Sequence, residues 1–219
     1  MRIIELNRSV TESNDLDAEK LREKMKKNKV LMVNLMSSPG SGKTSLLSRV
    51  ITDIGKDLKL GVMEADIASD VDAVKIEKLG VAAIQAHTDG MCHMDAGMTE
   101  RAYDALDNKD LNVVFLENVG NLICPAEFDT GAGKNIMIHS VPEGDDKPLK
   151  YPLMFSKSDA LIITKMDTLS YFDFDLDKCK ERVLKLNPDI KIFPLSAKTG
   201  QGMEDFENWI KESYIDWIK

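Results

Sequence analysis

Short apolar runs alternate along this chain with amphipathic ones. The apolar runs are Val30–Met36, Leu60–Glu64, Val81–Gln85, Asn112–Glu117, Asn135–Val141, Ala160–Thr164 and Ile190–Leu195. Most are apolar on successive residues rather than on every second one, as expected of strands covered on both faces. Between most of them lie runs with apolar residues three or four apart: Thr44–Leu58, Val71–Leu79, Met94–Leu106, Asp175–Leu186 and Met203–Ile218. That spacing is helical. Strand alternating with helix predicts a three-layer α/β/α domain around a mostly parallel, roughly seven-stranded sheet. Ahead of it, residues 1–29 are charged and weakly periodic. Asp15–Asn28 reads as a helix, capped by Asp15, with Leu16, Leu21 and Met25 as a thin apolar stripe. The chain therefore divides into a helical arm, 1–29, and a domain, 30–219. The arm has three possible fates: packed on the domain, packed on a second subunit, or solvated. The stretch Val141–Pro152, with three prolines and an acidic pair, predicts a surface crossover loop.

The first two elements enclose a recognisable turn. Ser37-Ser38-Pro39-Gly40-Ser41-Gly42-Lys43-Thr44 follows an apolar strand and opens a helix, which is the order of a phosphate-binding P-loop. Gly40 and Gly42 let backbone N–H groups curl around phosphate oxygens, with Pro39, Ser41 and Ser45 completing the loop. The helix N-terminus adds unpaired donors and positive dipole. Lys43 is expected to reach the β- and γ-phosphates, and Thr44 to ligate Mg²⁺ through its hydroxyl. Ser37 stands where the pattern has glycine, so it is expected to accept the backbone of a tight turn.

A P-loop NTPase fold places the loops after its strands on one edge of the sheet. The P-loop, Asp66, Cys92-His93, Glu117–Cys124, Thr164–Asp167 and Ser196–Lys198 all follow strands and should converge there. Asp66 is a candidate for holding Mg²⁺ through water or orienting the attacking water, and equally for capping a helix. Glu117 is a candidate Mg²⁺ carboxylate, and Gly120 a backbone donor to a γ-phosphate. Lys43, Asp66 and Glu117 are thus the expected catalytic set. Asn121 follows Gly120 where many GTPases carry a water-orienting Gln, so slow hydrolysis is expected unless a partner completes the site.

Thr164-Lys165-Met166-Asp167 ends a strand with a Lys-x-Asp pair. A carboxylate accepts from two adjacent donors at once, which guanine offers through N1–H and N2–H₂ and adenine does not. The Lys165 stem can lie on the purine face. Ser196-Ala197-Lys198 ends a later strand, where its backbone can meet the guanine carbonyl. Together these resemble the base-reading motifs of GTPases, with Thr164 where Asn is commoner.

Three cysteines, widely spaced, argue against a disulfide framework and for reduced thiols. Cys92 and His93 sit in a turn that leads into a helix, and Cys124 lies a few residues past Gly120. A helix N-terminus favours thiolate at such positions. Two thiolates and an imidazole suit Zn²⁺ or Ni²⁺ and disfavour Mg²⁺ and Ca²⁺. They supply three ligands, so a fourth must come from water or a partner chain. Two ordinary thiols and a surface histidine are the competing reading. Cys179, among Leu176 and Val183, reads as core, and His87 and His139 as structural. A net charge of −8 gives no electrostatic case for nucleic acid or an acidic membrane as partner. No apolar run approaches the ~20 residues of a membrane span, and Met1–Arg8 lacks a signal-peptide core. A cytoplasmic protein is expected.

These motifs carry a resemblance over roughly residues 30–219. Ser37–Thr44, Cys92-His93-Met-Asp95-Ala96, Glu117-Asn-Val-Gly-Asn-Leu-Ile-Cys124-Pro125, Pro142-Glu-Gly-Asp-Asp-Lys147 and Thr164–Asp167 resemble the hydrogenase nickel-incorporation GTPases, the HypB family. The Glu117–Pro125 string separates that family from the urease and cobalamin GTPase chaperones that share its fold. The resemblance implies GTP hydrolysis, with Mg²⁺, coupled to nickel insertion into the large subunit of nickel–iron hydrogenase alongside other maturation proteins. It also implies a homodimer when GTP is bound, with Cys92, His93 and Cys124 holding nickel or zinc at the interface. Two further readings stay open: a GTPase chaperone for another metalloenzyme, and a guanine-nucleotide module with structural zinc and no useful turnover. Residues 1–29 contain neither Cys nor His, unlike family members with an N-terminal cysteine motif or histidine tract. Metal handling is therefore expected at the single site in the nucleotide domain.

Overall fold

The computed structural model describes residues 6–66, 76–106 and 110–219, without the side chains of residues 6–10 and Asp66. Its sheet has seven strands in the order β3-β2-β4-β1-β5-β6-β7. They are β1 Leu31–Ser37, β2 Leu60–Asp66, β3 Ala82–His87, β4 Val113–Glu117, β5 Lys134–Ser140, β6 Ala160–Thr164 and β7 Lys191–Pro194. Every pairing is parallel, so the carboxyl ends of all seven strands lie on one edge. The described helices are α1 Leu6–Lys27, α2 Lys43–Ile54, α3 Ala96–Ala105, α4 Cys124–Glu127, α5 Lys147–Lys150, α6 Pro152–Ser156, α7 Leu176–Leu186 and α8 Met203–Trp217.

The central strand shows why the layers form. Leu31, Val33 and Leu35 of β1 face one side and pack with Leu46, Leu47 and Val50 of α2 and Phe206 and Ile210 of α8. Met32 faces the other side with Leu21 and Met25 of α1 and Ala102 of α3. Met36 joins Met154 and Phe155 of α6 and Cys179 and Val183 of α7. Both faces are thus buried, which accounts for the unbroken apolar runs.

Several expectations are corrected. α1 begins at Leu6 rather than at Asp15. No glycine or proline interrupts residues 6–14, so the helix continues through a position that resembled its cap. Its buried stripe is Ala18, Leu21 and Met25, whereas Leu16 is 61% exposed. α1 packs on the domain, against α3 and β1. The expected loop after β5 is instead a 3₁₀ turn, Val141–Glu143, followed by α5 and α6. Proline suits the first turn of a helix; here prolines open these short turns, and a Ser140–Glu143 capping box fixes the first,. The helix expected over Val71–Leu79 falls largely outside the described residues.

Candidate nucleotide and metal site

β1 delivers the P-loop from the middle of the sheet. Gly40 and Gly42 adopt φ of 73° and 100°, a left-handed backbone open to glycine and costly to residues with a Cβ. α2 then starts at Lys43. Ser37 needs no special conformation: it is the last extended residue of β1, and the tight turn begins after it. Its hydroxyl accepts a hydrogen bond from Lys43 Nζ at 2.8 Å. Ser41 is buried and Ser45 exposed.

Glu117 ends β4, paired to β1, and its Oε1 accepts from the Thr44 hydroxyl at 3.0 Å. These two oxygens, beside a helix N-terminus suited to phosphate, fit the hard-oxygen set of a Mg²⁺ ion. Asp66 ends β2 in register with His87, which places its backbone on the same edge; its side chain is outside the described set. His87 itself is exposed rather than built into the interior. Buried Glu64 lies in register with Glu117 on the neighbouring strand. Sequence reasoning passed over it, although it is the first acid in that apolar run.

The elements expected to read the base meet the P-loop directly. The Thr164 hydroxyl donates to the Ser41 carbonyl at 2.7 Å and Lys165 Nζ to the Gly40 carbonyl at 2.7 Å. Lys165 has a φ of 60°, uncommon for a residue with a side chain. Asp167 Oδ1 accepts from the Ser196 hydroxyl at 2.6 Å, which joins the Lys-x-Asp pair to the turn carrying Ala197 and Lys198. The Ser196 hydroxyl also accepts from the Thr199 N–H at 3.2 Å. One carboxylate is therefore fixed at the rim while Lys165 spans the loop.

Glu143 belongs to the Pro142–Lys147 string, but the sequence assigned it no role. Its carboxylate takes hydrogen bonds from the Ser38 hydroxyl and from the Ser140 N–H and hydroxyl, the latter two at 2.8 and 2.7 Å. Burial opposes its charge, but these donors hold the carboxyl below its ordinary range. A P-loop hydroxyl is thus tied to the turn after β5. His139 is buried against Phe155 and Phe174, and burial keeps its imidazole neutral by lowering its pKa. Cys179 is buried in α7, which pushes its thiol up to about 12.

The segment leaving Glu117 runs from the P-loop to the thiols. A side chain added at Gly120 would meet Pro39 backbone at 3.1 Å, so the segment lies flat on the P-loop. Asn118 accepts from the Met94 N–H at 3.2 Å and donates to Asn34 of β1 at 3.1 Å. Asn121 faces the thiols rather than the phosphate site: its amide donates to the Cys92 carbonyl at 3.3 Å. Cys124 then opens α4. Cys92 Sγ lies 3.1 Å from Cys124 Sγ and 3.9 Å from His93 Nδ1. The ligand atoms of Cys92, His93 and Cys124 all fall within 4.8 Å of one another. A disulfide needs about 2.05 Å between sulfurs, and both thiols are free.

The imidazole of His93 is 5% exposed and stacks on Phe128, ring centroids 3.9 Å apart. Burial lowers its pKa, against the pull of Asp95 and Glu127, so it offers a lone pair at neutral pH. The Cys124 thiol is raised rather than lowered, chiefly by its contact with Cys92 and then by burial, against a hydrogen bond from Asn121. α4, only four residues long, does not offset this. Soft thiolates beside a neutral imidazole suit a Zn²⁺ or Ni²⁺ ion. Phe128 carries no chemical signature of its own in the sequence, and only the fold places it here; Asn118 lies in the Glu117–Pro125 string, where no role was assigned to it.

The fold and site together define a P-loop nucleotide-binding protein in which the segment lying along the P-loop ends at a cluster of two cysteines and a histidine that could hold a metal ion. Residues 31–194 match the model of the CobW/HypB/UreG nucleotide-binding domain. The chain belongs to that family, within its HypB group. It is 42% identical to the hydrogenase maturation factor HypB of Azotobacter chroococcum over 96% of this chain and 69% of that one. It is 41% identical to the hydrogenase/urease maturation factor HypB of Helicobacter pylori over 95% and 87%. The solved structure of HypB from Helicobacter pylori in complex with nickel superposes with a TM-score of 0.89 at 41% identity, covering 93% of this chain and 96% of that chain. A signal recognition particle receptor, FtsY from Elizabethkingia anophelis in complex with GDP, shares the fold at 14% identity and a TM-score of 0.57, covering 94% and 73%. No helix among the described residues is long and apolar enough to cross a membrane.

Proposed function

We propose that this protein is a GTP-hydrolysing metallochaperone that delivers nickel during maturation of a nickel enzyme, nickel–iron hydrogenase first among them. One observation carries the reading. The single segment Glu117–Cys124 meets the P-loop at its start, through Thr44, and the Cys92 sulfur at its end. Lys165 and Asp167 read guanine, with Thr164 and the Ser196–Lys198 turn as support. Pro39–Ser45 cradle the phosphates, Lys43 neutralises developing charge, and Gly120 donates its N–H to the terminal phosphate. Thr44 and Glu117, with Asp66, hold Mg²⁺, which supplies charge neutralisation at the β- and γ-oxygens when bound. Cys92, His93 and Cys124 hold the cargo ion, Ni²⁺ or Zn²⁺. GTP orders the segment and hydrolysis releases it.

Three ligands from one chain leave the ion short of four. An incomplete site suits an ion that must leave, and a second copy would complete it. The helical arm 1–29 belongs to the same unit as the nucleotide domain 30–219, and the protein works in the cytoplasm with a hydrogenase large subunit and other maturation proteins. The Helicobacter relatives, named for hydrogenase and urease, favour urease as a second target enzyme. Sizing the protein with a GTP analogue and with GDP, each with and without Ni²⁺, tests the scheme. A dimer is expected with the analogue and a monomer with GDP. A single mass under all four conditions would refute the nucleotide-dependent pairing.

A further inference from the structure

The metal cluster is gripped from two sides. On the nucleotide side, Asn118 and Asn121 hold the Cys92-His93 turn. On the other side a single α1 side chain bridges both halves of the cluster. Asn14 Oδ1 accepts from the Ala96 N–H at 2.9 Å, and Asn14 Nδ2 donates to the Asp129 carbonyl at 2.9 Å. Ala96 opens α3 just beyond Cys92-His93-Met94-Asp95. Asp129 follows Phe128, whose ring stacks on His93, and lies just past the helix that Cys124 opens. A side-chain amide donates and accepts at once, so one residue fixes the separation of two backbones that carry different ligands.

The helix that presents Asn14 is itself seated on both segments. Arg22 Nη2 reaches the two Asp129 oxygens at 2.8 and 2.7 Å, and Arg22 Nε the Ala132 carbonyl at 3.2 Å. Lys24 reaches Glu100 and Asp104 of α3, each at 2.8 Å. Ala18, Leu21 and Met25 are buried beneath. Partly exposed ion pairs of this kind contribute little stability, but they fix where α1 sits.

We propose that Asn14 is a positioning residue for the bound cation: α1 sets the geometry of a metal site to which it contributes no ligand. The proposal rests on the reading of Cys92, His93 and Cys124 as the nickel site. Groups outside the ligand shell commonly set metal affinity by one to two orders of magnitude. Ni²⁺ titration of the full-length Asn14→Ala protein, followed by thiolate-to-nickel charge-transfer absorption, tests it beside GDP affinity. Nickel affinity is expected to fall about tenfold, with a weakened or shifted absorption band and GDP affinity within about twofold of wild type. If Asn14→Ala does not fold, Asn14→Asp decides on the same readouts, because it keeps an acceptor for Ala96 and loses the donor to Asp129. Nickel affinity unchanged within about twofold would overturn the proposal while the site reading stands. So would a parallel loss of nickel and GDP affinity, which marks a general folding defect. If wild type gives no band that depends on Cys124, the site reading falls and the positioning role with it.

Discussion

At the scale of single residues, the account assigns separable tasks to side chains on one edge of the sheet. Asp167 is fixed by the Ser196 hydroxyl and is expected to accept the guanine N–H pair. Asp167→Asn presents a donor in place of one acceptor, so nucleotide preference should move from GTP toward xanthosine triphosphate. Competition binding of the two nucleotides reads this, and retained tight GTP binding would show that another residue reads the base. Cys92→Ser and Cys124→Ser should each lose the nickel charge-transfer band yet keep GDP affinity, since neither residue belongs to the P-loop or to the Lys165–Asp167 turn. Loss of nickel and GDP together would contradict that division. A third prediction concerns Glu207 on α8. Burial, with Asp53 beside it, raises its carboxyl to about 7, against the pull of Arg49 and Lys211. Between about pH 4.5 and 7 the folded chain keeps a proton that the unfolded chain has lost, so stability falls as pH rises through that window. Above pH 7 the penalty is complete. Glu207→Gln should therefore stabilise the protein at pH 8 by about 1–2 kcal/mol, less than the full shift implies because the group is partly solvated. Thermal melts at pH 5 and pH 8 measure it, and an equal gain at both would contradict the assignment.

At the scale of elements, the segment from Glu117 to Cys124 joins the P-loop to the Cys92 turn, which Asn121 ties to it through the Cys92 carbonyl. Removing that amide should leave nickel and nucleotide bound but bring the nickel affinities of the GTP and GDP states closer together. Isothermal titration of Asn121→Ala in both states checks this, and an undiminished difference would place the coupling elsewhere. Elements also mark where the sequence was legible. The inner strands were readable because burial on both faces leaves an unbroken apolar signature, as in Val113–Glu117, whereas the edge strands β3 and β7 are only partly buried and were readable from their place in the strand–helix alternation. Helix ends were not, because α1 runs through Asp15 with no breaker to oppose it. The turn after β5 read as loop, since prolines that open short helical turns look the same in sequence as prolines that break longer ones. Ligand residue types stood out in Cys92, His93 and Cys124. Their support did not: Phe128 and Asn14 act through contacts with residues far along the chain, which local spacing does not encode.

At the scale of the whole molecule, the parallel sheet gathers distant stretches of sequence onto one edge, and α1 braces that edge from outside. The same edge holds the P-loop, the turns carrying Lys165–Asp167 and Ser196–Lys198, and the cluster of Cys92, His93 and Cys124; in the proposed scheme one surface would present both nucleotide and cargo to a second copy. Coupling between two such sites is worth about 1–3 kcal/mol when an ordered segment joins them. The most direct test titrates Ni²⁺ into protein held with GDP and into protein held with a non-hydrolysable GTP analogue. Affinities that differ by about 5- to 150-fold are predicted. Equal affinities in the two states would contradict a segment shared between phosphate and metal, and would leave a guanine-nucleotide hydrolase with an unconnected thiol cluster.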